Sequence, residues 1–586
     1  MPRARAHRVQ SFIAELRRRR VFRAALVYVV SAFAALQGAD ILVPALALPA
    51  WTMSLLVVLA LVGFPVVMGL AWAFDVGPGG MQRTPSLEET ASSAPGGPPA
   101  GDAAAAIERG RVQPEAPSPR AGVRVTPSVA VVPFLNMSPD SENEYFADGI
   151  TEDVIAHLSK VRALKVISRT SVMPFKKRGR SLREIGAQLG ATALLDGSVR
   201  RVGDRVRIVA ELVDVATDRH VWAEIYDRDL TDIFSIQTDV ALQIAAALQA
   251  ELSPDEQTRI RKEPTANLES YELYLKARHL YIGYTPSSLQ RAIQYYSRAI
   301  ESDPEFALAY AGIAMAYAEL DEAGALPPGV ARRHATDAAA QALRLDPGLG
   351  EAHCAMAHLK SLWEFDWSGA DAGFRRALEL SPSFADAYDL YGRYCGALGR
   401  FDEALALQRR AQELDPLAHR LDVSTTLLRA GRYAEAVTET QRALDFDPDH
   451  DRAHATLGWG LFLQGRTVEG VAELERAVAL SPGSTQWLAQ LGQARGLAGD
   501  VAGARAILEQ LETRAATDFV APYNLAYVHT GLGEHERALD LLERAFEERA
   551  GAVYAIKGSF LFAPLRPHPR FQALIARLNL PAQSAT

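Results

Sequence analysis

The chain has 586 residues, which at roughly 150 residues per domain predicts about four structural units. It carries 62 Lys and Arg against 70 Asp and Glu, for a net charge of −8, and eight Arg stand within its first 23 residues. A basic tip on an acidic body argues against a protein that coats nucleic acid. The 48% hydrophobic content excludes wholesale disorder, and two cysteines exclude a disulfide scaffold and a Cys-based zinc site.

Two apolar stretches, 21–39 and 51–74, follow a basic tail over residues 1–20. About 20 helical residues cross a hydrocarbon core of roughly 30 Å, so we predict a transmembrane helical hairpin over residues 21–76. By the positive-inside rule, a run of four arginines favours a cytoplasmic tail: Arg17, Arg18, Arg19 and Arg20. Two spans would anchor the protein in a bacterial inner membrane and return the chain to the cytoplasm.

Two alternatives to this hairpin stay open in the sequence. A first stretch that lies in the membrane interface would leave one span and place the soluble part in the periplasm. A cleaved signal peptide needs a shorter apolar core and a cleavage site, for which residues 45–47 are a poor candidate.

Residues 77–127 hold nine Pro and eight Gly, a composition that cannot bury enough apolar surface to become ordered. We therefore predict a disordered linker between the membrane hairpin and the soluble part. A coil of this length reaches on the order of 40 Å.

The segment 128–252 has the alternating patterns of a small α/β domain. We predict a buried strand over 128–134 and a helix over 145–158, with Thr151 as a candidate N-cap. Ser181 and Glu184 predict a capping box. The predicted order is β-α-β-α-β-β-β-α, and its other elements are strands over 164–168, 191–201, 205–215 and 220–230 and helices over 181–189 and 233–252.

Three runs of this domain resemble the TolB-type amino-terminal domain, also called FlgO-like: SVAVVPFLNMSPDSENEYFADGITEDVIAHLSKV, SRTSV, and LREIGAQLGATALLDGSVRRVGDRVRIVAELVDVATDRHVWAEIYDRDLTDIFSIQTDVA. Domains of that family are often joined to TPR repeats and a membrane span, and in many such proteins to a nucleotide cyclase, a winged-helix domain or a kinase. The resemblance implies a signalling or envelope-associated adaptor.

Two charged groups in this domain are candidates for a site. Asp148, Glu152 and Asp153 could form a carboxylate cluster, although acids in such a pattern are more often helix-start residues. Basic residues dominate from 160 to 183, and four of them could contact anionic lipid headgroups or an acidic partner: Lys176, Lys177, Arg178 and Arg180. The alternative for this basic run is a solvated loop.

The C-terminal half is a repeat array. An Ala-x-x-x-x-Pro pattern ends at six positions: Pro304, Pro347, Pro382, Pro416, Pro448 and Pro482. Turn glycines recur every 32 to 34 residues: Gly399, Gly431, Gly465, Gly499 and Gly533. The pattern resembles the tetratricopeptide repeat (TPR), and we predict about eight units over residues 268–550, with extra loop residues after Leu320.

In one unit the predicted packing positions are Leu457, Gly458, Leu461, Leu474, Ala477 and Pro482, where small residues let two helices approach and Pro ends the second helix. Residues 551–586 should form a capping helix and tail. Tyrosines around the first repeat indicate a packing seam against the neighbouring domain: Tyr271, Tyr274, Tyr281, Tyr284, Tyr295 and Tyr296.

These patterns predict a multidomain α plus α/β protein: a transmembrane hairpin, a small α/β domain and an all-α TPR superhelix. No residue set meets the geometric needs of an active site, so we expect a non-enzymatic scaffold or sensor adaptor without metal or cofactor. Protein partners would bind the TPR groove, and a partner or small ligand the α/β domain. The alternatives are a regulatory subunit of a cyclase-type enzyme or of a transcription pathway, and a periplasmic envelope assembly factor.

Overall fold

A computed structural model of the chain describes residues 74–77, 80–83, 126–138, 143–176, 181–281, 285–322, 325–416 and 420–581. The chain divides into two compact units, Met1–Arg120 and Ala121–Thr586. In the first unit, the strands β1 (Phe74–Gly77) and β2 (Gly80–Arg83) form an antiparallel pair. Residues 21–73 of the predicted membrane hairpin and the arginine run lie outside the described residues. The last residues of the predicted hairpin, 74–76, belong to a strand and not to a helix. Among the described helices, none is long and apolar enough to cross a bilayer.

The second unit begins with an α/β region. Its strands are β3 (Ser128–Val131), β4 (Leu135–Asn136), β5 (Lys165–Ile167), β6 (Ala193–Val202), β7 (Arg205–Asp214) and β8 (Arg219–Asp229). Its helices are α1 (Glu144–Ser159), α2 (Arg169–Val172), α3 (Leu182–Leu189), α4 (Ile233–Ala247) and α5 (Pro254–Arg261). This order contains the predicted one and adds the short elements β4, α2 and α5.

The sheet has the strand order β5-β3-β6-β7-β8. The β5, β3 and β6 strands run parallel, whereas β6, β7 and β8 form an antiparallel meander. Ser181 accepts a hydrogen bond from the Glu184 amide and the two residues form the predicted capping box. The buried side chains of β7 alternate with exposed ones, so one face of the sheet packs on the core.

Within residues 268–548 the structure describes eight helix pairs, which agrees with the predicted number of TPR units. The first helices are α6 (Leu268–Tyr281), α8 (Ala307–Glu322), α10 (Gly350–Leu359), α12 (Ala385–Ala397), α14 (Arg420–Arg429), α16 (Asp451–Leu463), α18 (Thr485–Leu497) and α20 (Pro522–Gly531). The second helices are α7 (Pro286–Ser302), α9 (Pro328–Leu345), α11 (Trp367–Leu380), α13 (Phe401–Leu414), α15 (Tyr433–Phe446), α17 (Thr467–Leu480), α19 (Val501–Ala515) and α21 (His535–Glu548).

Helix α9 has 18 residues, against 14 in α13, so part of the extra length of the second TPR unit extends a helix. The prediction of a longer loop there is wrong to that extent. Three elements follow the array. They are two 3-10 segments, Gly551–Gly558 and Phe560–Leu565, and the helix α22 (Pro569–Arg577).

The turn glycines have the conformation that their spacing predicts. All five have positive φ angles, between +75° and +90°, at Gly399, Gly431, Gly465, Gly499 and Gly533. L-amino acids with a Cβ rarely adopt this conformation, so glycine fits the short turn that joins the two helices of each unit.

The predicted packing positions of the sixth unit lie where α16 contacts α17. Leu474 and Ala477 are fully buried, and Leu457 and Leu461 are nearly so. A Cβ placed on Gly458 would stand 2.8 Å from the Gly470 carbonyl oxygen, too close for an ordinary contact. Pro482 follows the end of α17 at Leu480 and is exposed in the turn.

We predict that Gly458→Ala lowers the stability of the purified chain by about 1–3 kcal/mol, because the backbone atoms facing Gly458 cannot move aside cheaply. In an open helix position the same change stabilises by about 1 kcal/mol. The control is Gly483→Ala, whose new methyl group meets no atom within 4 Å. Thermal unfolding followed by circular dichroism would contradict the packing account if both variants had the wild-type midpoint.

Candidate functional site

The first helices of the TPR units place charged side chains on one face, which we call the inner surface: Glu322 on α8, Asp389 and Arg393 on α12, Arg429 at the end of α14, and Arg452 on α16. Stacked TPR units present their concave face for binding. Tyr523 of α20 lies within electrostatic range of Glu322 on α8, so distant units of the array contribute to the same surface.

Ion pairs neutralise most of this surface. Arg393 pairs with Glu322 at 2.5 Å, with His358 3.7 Å from the same carboxylate. Arg452 pairs with Asp422 at 2.5 Å. Burial opposes the ionisation of Glu322, but the Arg393 guanidinium and His358 outweigh it and hold the pKa of Glu322 below its usual range.

Arg429 differs from these residues because no carboxylate among the described residues forms an ion pair with it. Burial lowers its pKa, and the like charges of Arg393 and Arg452 add to this effect. Tyr554 and Tyr527 lie within electrostatic range of Arg429, and burial raises the pKa of both, which keeps their hydroxyls neutral. An unpaired guanidinium in a partly buried position is a ready binding group for a carboxylate or another anion.

The C-terminal segment, residues 553–580, covers the apolar part of the inner surface. Phe560 lies 5.6 Å from the ring of Trp459, and Phe562 stacks on Tyr527 at 5.0 Å. The Gln493 amide donates a hydrogen bond to the Leu561 carbonyl. The sequence predicts only a capping helix here and misses this role, because two short 3-10 segments have no apolar periodicity to read.

A cavity of about 980 Å³ lies where the α/β region meets the first three TPR units. Lys160, Arg259 and Lys262 line it from the α/β side, and Asp346 and Glu351 from the repeats. Lys262 pairs with Asp346 at 2.7 Å. Burial lowers the pKa of Lys160, although the carboxylates Glu351 and Asp346 oppose this shift.

The favoured interpretation of Asp148, Glu152 and Asp153 as helix-start acids is wrong. Helix α1 begins at Glu144, so Asp148, Glu152 and Asp153 lie inside it and are buried. They are therefore interior residues of the helix and not helix-start acids. Thr151 is not an N-cap, because it is also internal and donates its hydroxyl to the Ala147 carbonyl.

Each of these three carboxylates has an ion-pair or hydrogen-bond partner. Asp148 pairs with Lys176 at 2.5 Å, and Lys176 also contacts Glu144 at 2.6 Å. Glu152 pairs with Arg278 of the first TPR helix and lies 3.4 Å from Arg169. Glu152 therefore forms an ion pair across the interface between the α/β region and the repeats, whereas Asp148 is paired within the α/β region.

The candidate lipid-contact residues fall in two groups. Lys176 contacts acids of its own chain, so its charge is compensated inside the protein. Lys177, Arg178 and Arg180 lie outside the described residues. Of the other cations of the basic run, Arg169 is buried and Lys160 is half-buried at the wall of the cavity, so neither lies in a solvated loop.

Asp153 is buried in the same interface. Its carboxylate accepts hydrogen bonds from the Tyr271 hydroxyl and, at 3.0 Å, from the Gln237 amide. Burial raises the pKa of Asp153 to about 7, although both hydrogen bonds and Lys160 oppose the shift. Tyr271 is buried against Phe234 and Asp153 of the α/β region, which confirms the predicted packing seam for this tyrosine. Tyr274 and Tyr296 are also buried, and their rings contact each other within the repeats.

Other side chains with potentially reactive or ligating atoms have structural roles. Cys354 and Cys395 are buried free thiols, and burial raises the pKa of each. His454 bonds to Glu473 at 2.6 Å. In the part of the chain that the structure describes, no group of three or more potential ligands could hold a metal ion.

Comparisons with known proteins identify the repeats. Two families described as tetratricopeptide repeat match residues 424–485 and 385–416. The chain therefore carries TPR repeats joined to an α/β region.

Two bacterial relatives share parts of the sequence. The chain is 41% identical over 189 residues to a protein of Rhizobium meliloti (strain 1021) named "Putative adenylate cyclase 3", a match that covers 32% of each protein. It is 26% identical over 150 residues to the transcriptional regulator HilA of Salmonella typhimurium, covering 26% of this chain and 27% of that protein. The chain thus spans about a third or less of the length of these curated relatives.

Among solved structures, the crystal structure of PilW, described as a widely conserved type IV pilus biogenesis factor, is similar to part of the chain. The match has 21% identity and a TM-score of 0.31, and covers 38% of this chain and 97% of that one.

The raised pKa of Asp153 has a consequence for stability. A carboxyl group whose folded pKa is about 7 contributes stability that is fully present below its ordinary value of 3.8 and is lost as the pH rises through 7. We predict that Asp153→Asn, which keeps an acceptor for Tyr271, gains thermal stability relative to the wild type between pH 5 and pH 8. Melting temperatures at both pH values measure this.

The matched control is Asp445→Asn, a change at an exposed position of α15. Its melting temperature should follow the wild type at both pH values. An Asp153→Asn variant with the same pH dependence as the wild type would show that Asp153 does not titrate in this range.

Proposed function

We propose that the protein is a non-enzymatic scaffold that binds an extended segment of a partner protein on the inner surface of its TPR array. The observation that carries the proposal is Arg429, a guanidinium without an ion pair among the described residues, at the centre of a surface whose other cations are paired. TPR repeats in general serve as protein-binding modules, which supports the same reading.

The C-terminal segment restricts where the partner lies. Residues 553–580 cover the part around Trp459 and Tyr527, and Tyr554 of the same segment lies near Arg393 and Arg429. The partner would therefore contact the faces of Arg393, Arg429 and Arg452 that stay partly exposed. We infer that the partner segment presents a carboxylate to Arg429, since a charge-assisted hydrogen bond there replaces water around an otherwise unpaired cation.

The proposal extends to the parts of the chain that resemble known segments. The α/β region would act as a TolB-type, FlgO-like domain, and the cavity of about 980 Å³ beside Lys160 offers it a place for a small ligand or partner. Residues 21–76 would anchor the protein in the bacterial inner membrane with its soluble part in the cytoplasm. Lys177, Arg178 and Arg180 would then stand near anionic lipid headgroups.

A second candidate function rests on the 41% identity to a protein named as an adenylate cyclase. In that case the chain would regulate a cyclase-type signalling enzyme through the region the two proteins share. This candidate and the scaffold agree on a protein partner and differ in the partner's identity.

Selection from a phage-displayed library of random peptides tests the carboxylate preference. We predict that the wild-type chain enriches peptides with Asp, Glu or a free C-terminus, and that Arg429→Ala weakens the selected peptide about tenfold or more in fluorescence polarisation, the size expected for a hydrogen bond to a charged group. Arg409→Ala, an exposed arginine on the second helix α13, is the control and should bind like the wild type.

Equal loss of affinity in both variants would mean that general charge, and not Arg429, attracts the peptide. Enrichment of peptides without any carboxylate would contradict the proposed chemistry directly.

Reporter fusions after residue 120 test the membrane topology. The positive-inside rule and two spans predict activity of a reporter that works only in the cytoplasm. Activity of a periplasm-only reporter would instead support a single span and an envelope role.

A further inference from the structure

Opposite charges line the cavity between the α/β region and the first TPR units without pairing across it. Lys160 and Arg259 stand on the side of the α/β region, the α/β wall, and Glu351 stands on the side of the repeats, the repeat wall. All three are half-buried. Among the acids, Glu351 does most to oppose the lowering of the Lys160 pKa, so the two charges are close. Yet no carboxylate among the described residues forms an ion pair with either cation.

Helix α5 holds the two cations of the α/β wall side by side. The Arg162 amide donates to the Glu256 carboxylate of α5 at 2.9 Å, and the Lys160 ammonium donates to the Arg259 carbonyl at 3.1 Å. Both bonds fix α5 to the chain that follows α1. A lysine ammonium has two further N–H donors, and the Arg259 Nε is buried without an acceptor among the described residues. The α/β wall therefore offers several donors to an anionic group.

The repeat wall offers one acid that its own chain leaves without a partner among the described residues. Glu351 lies in the first turn of α10, and its Oε2 atom is buried without a hydrogen-bond donor there. The other two half-buried acids of the cavity are engaged: Asp346 pairs with Lys262 at 2.7 Å, and Asp303 accepts a hydrogen bond from the Thr265 hydroxyl. Because a buried charge without a partner is costly, Glu351 is the acid that gains most from a cationic ligand group.

This charge pattern favours a ligand that carries both signs. A simple anion bound to Lys160 and Arg259 would be repelled by Glu351 across the same cavity. A simple cation bound to Glu351 would be repelled by Lys160 and Arg259. A zwitterion avoids both conflicts, because its negative end contacts the cations and its positive end contacts the acid.

The size and lining of the cavity favour a peptide over a single amino acid. Its volume of about 980 Å³ lies near the upper end of the roughly 300–1,000 Å³ that is usual for small-molecule sites. A single amino acid would leave most of this volume to water. Four leucines add apolar surface that can cover the side chains of a peptide: Leu308, Leu345, Leu349 and Leu380.

We propose that this cavity binds a short peptide with free termini, whose carboxylate contacts Lys160 and Arg259 and whose ammonium group contacts Glu351. The inference rests on the proposed function, which places a small ligand beside Lys160, and adds the chemical class of that ligand. Arg429 does not line the cavity, so the two binding predictions can fail separately.

Equilibrium dialysis of the purified full-length chain against a pool of tripeptides, with free leucine included and mass spectrometry as the readout, tests the proposal. Tripeptides with free termini and apolar side chains should be retained, and free leucine should not. Matched pools that are acetylated at the N-terminus or amidated at the C-terminus should be retained at least about tenfold less, the size expected for losing a hydrogen bond between charged groups.

Two variants assign the ends of the peptide. Glu351→Gln should remove the preference for a free N-terminus, and Lys160→Met the preference for a free C-terminus, since each removes one charge and keeps most of the side-chain volume. The matched control is Glu305→Gln, an exposed acid of the same lining, which should retain the peptides like the wild type. Melting temperatures near that of the wild type check that the variants fold.

A third variant separates this site from the inner surface. Retention that is lost in Arg429→Ala but kept in Lys160→Met and Glu351→Gln would place the peptides on the inner surface and overturn the proposal. Equal retention of free and capped pools, retention of free leucine as strong as that of the tripeptides, or no retention would also overturn it. Retention that needs Lys160 and Glu351 but not Arg429 supports the cavity, even if the phage-selected peptides do not depend on Arg429.

Discussion

The contact between helix α1 of the α/β region and α6 of the first TPR unit fixes how these two parts pack within the compact unit Ala121–Thr586. Two buried carboxylates of α1 find their partners across it: Asp153 with the Tyr271 hydroxyl, and Glu152 with Arg278. Gly149 brings the helices together, since a Cβ there would meet the side chain of Leu275. Buried acids of one part that depend on donors of the other make separate unfolding costly.

This dependence explains why the regions that the sequence predicts at 128–252 and 268–550 pack together in one compact unit. The loops between TPR units also complete the sheet, because Ser383 and Leu414 bond to the edge strand β5. The TPR array thus has two roles: its loops support the sheet, and its first helices present the inner surface. Only the opposite edge of the sheet, at β8, is left open among the described strands.

Local signals predicted local structure well. The turn glycines, such as Gly465, require a conformation that few other residues adopt, and the Ser181 capping box needs only residues three positions apart. Periodicity likewise located the TPR helices. The sequence did not show which face of β8 is buried. Val221, Ala223 and Ile225 are as apolar as the residues on the opposite face, where the structure buries Tyr226.

The candidate site was harder to predict, because its properties arise from contacts between distant residues. Nothing near Arg429 in the sequence shows that no described carboxylate pairs with it, since Arg452, which resembles it, takes Asp422 as its partner. The same holds for Asp153 and Glu152 of α1, whose partners Tyr271 and Arg278 lie more than 100 residues away. Composition suggested solvated helix-start acids, and tertiary packing made them an interface.

Hydrogen exchange measured by mass spectrometry in increasing denaturant tests the central claim, that the α/β region and the TPR array form one cooperative unit. The account predicts that the amides of α1, residues 144–159, and of α6, residues 268–281, lose protection at the same denaturant concentration. Loss of protection in α1 at a clearly lower concentration, with α6 still protected, would contradict it.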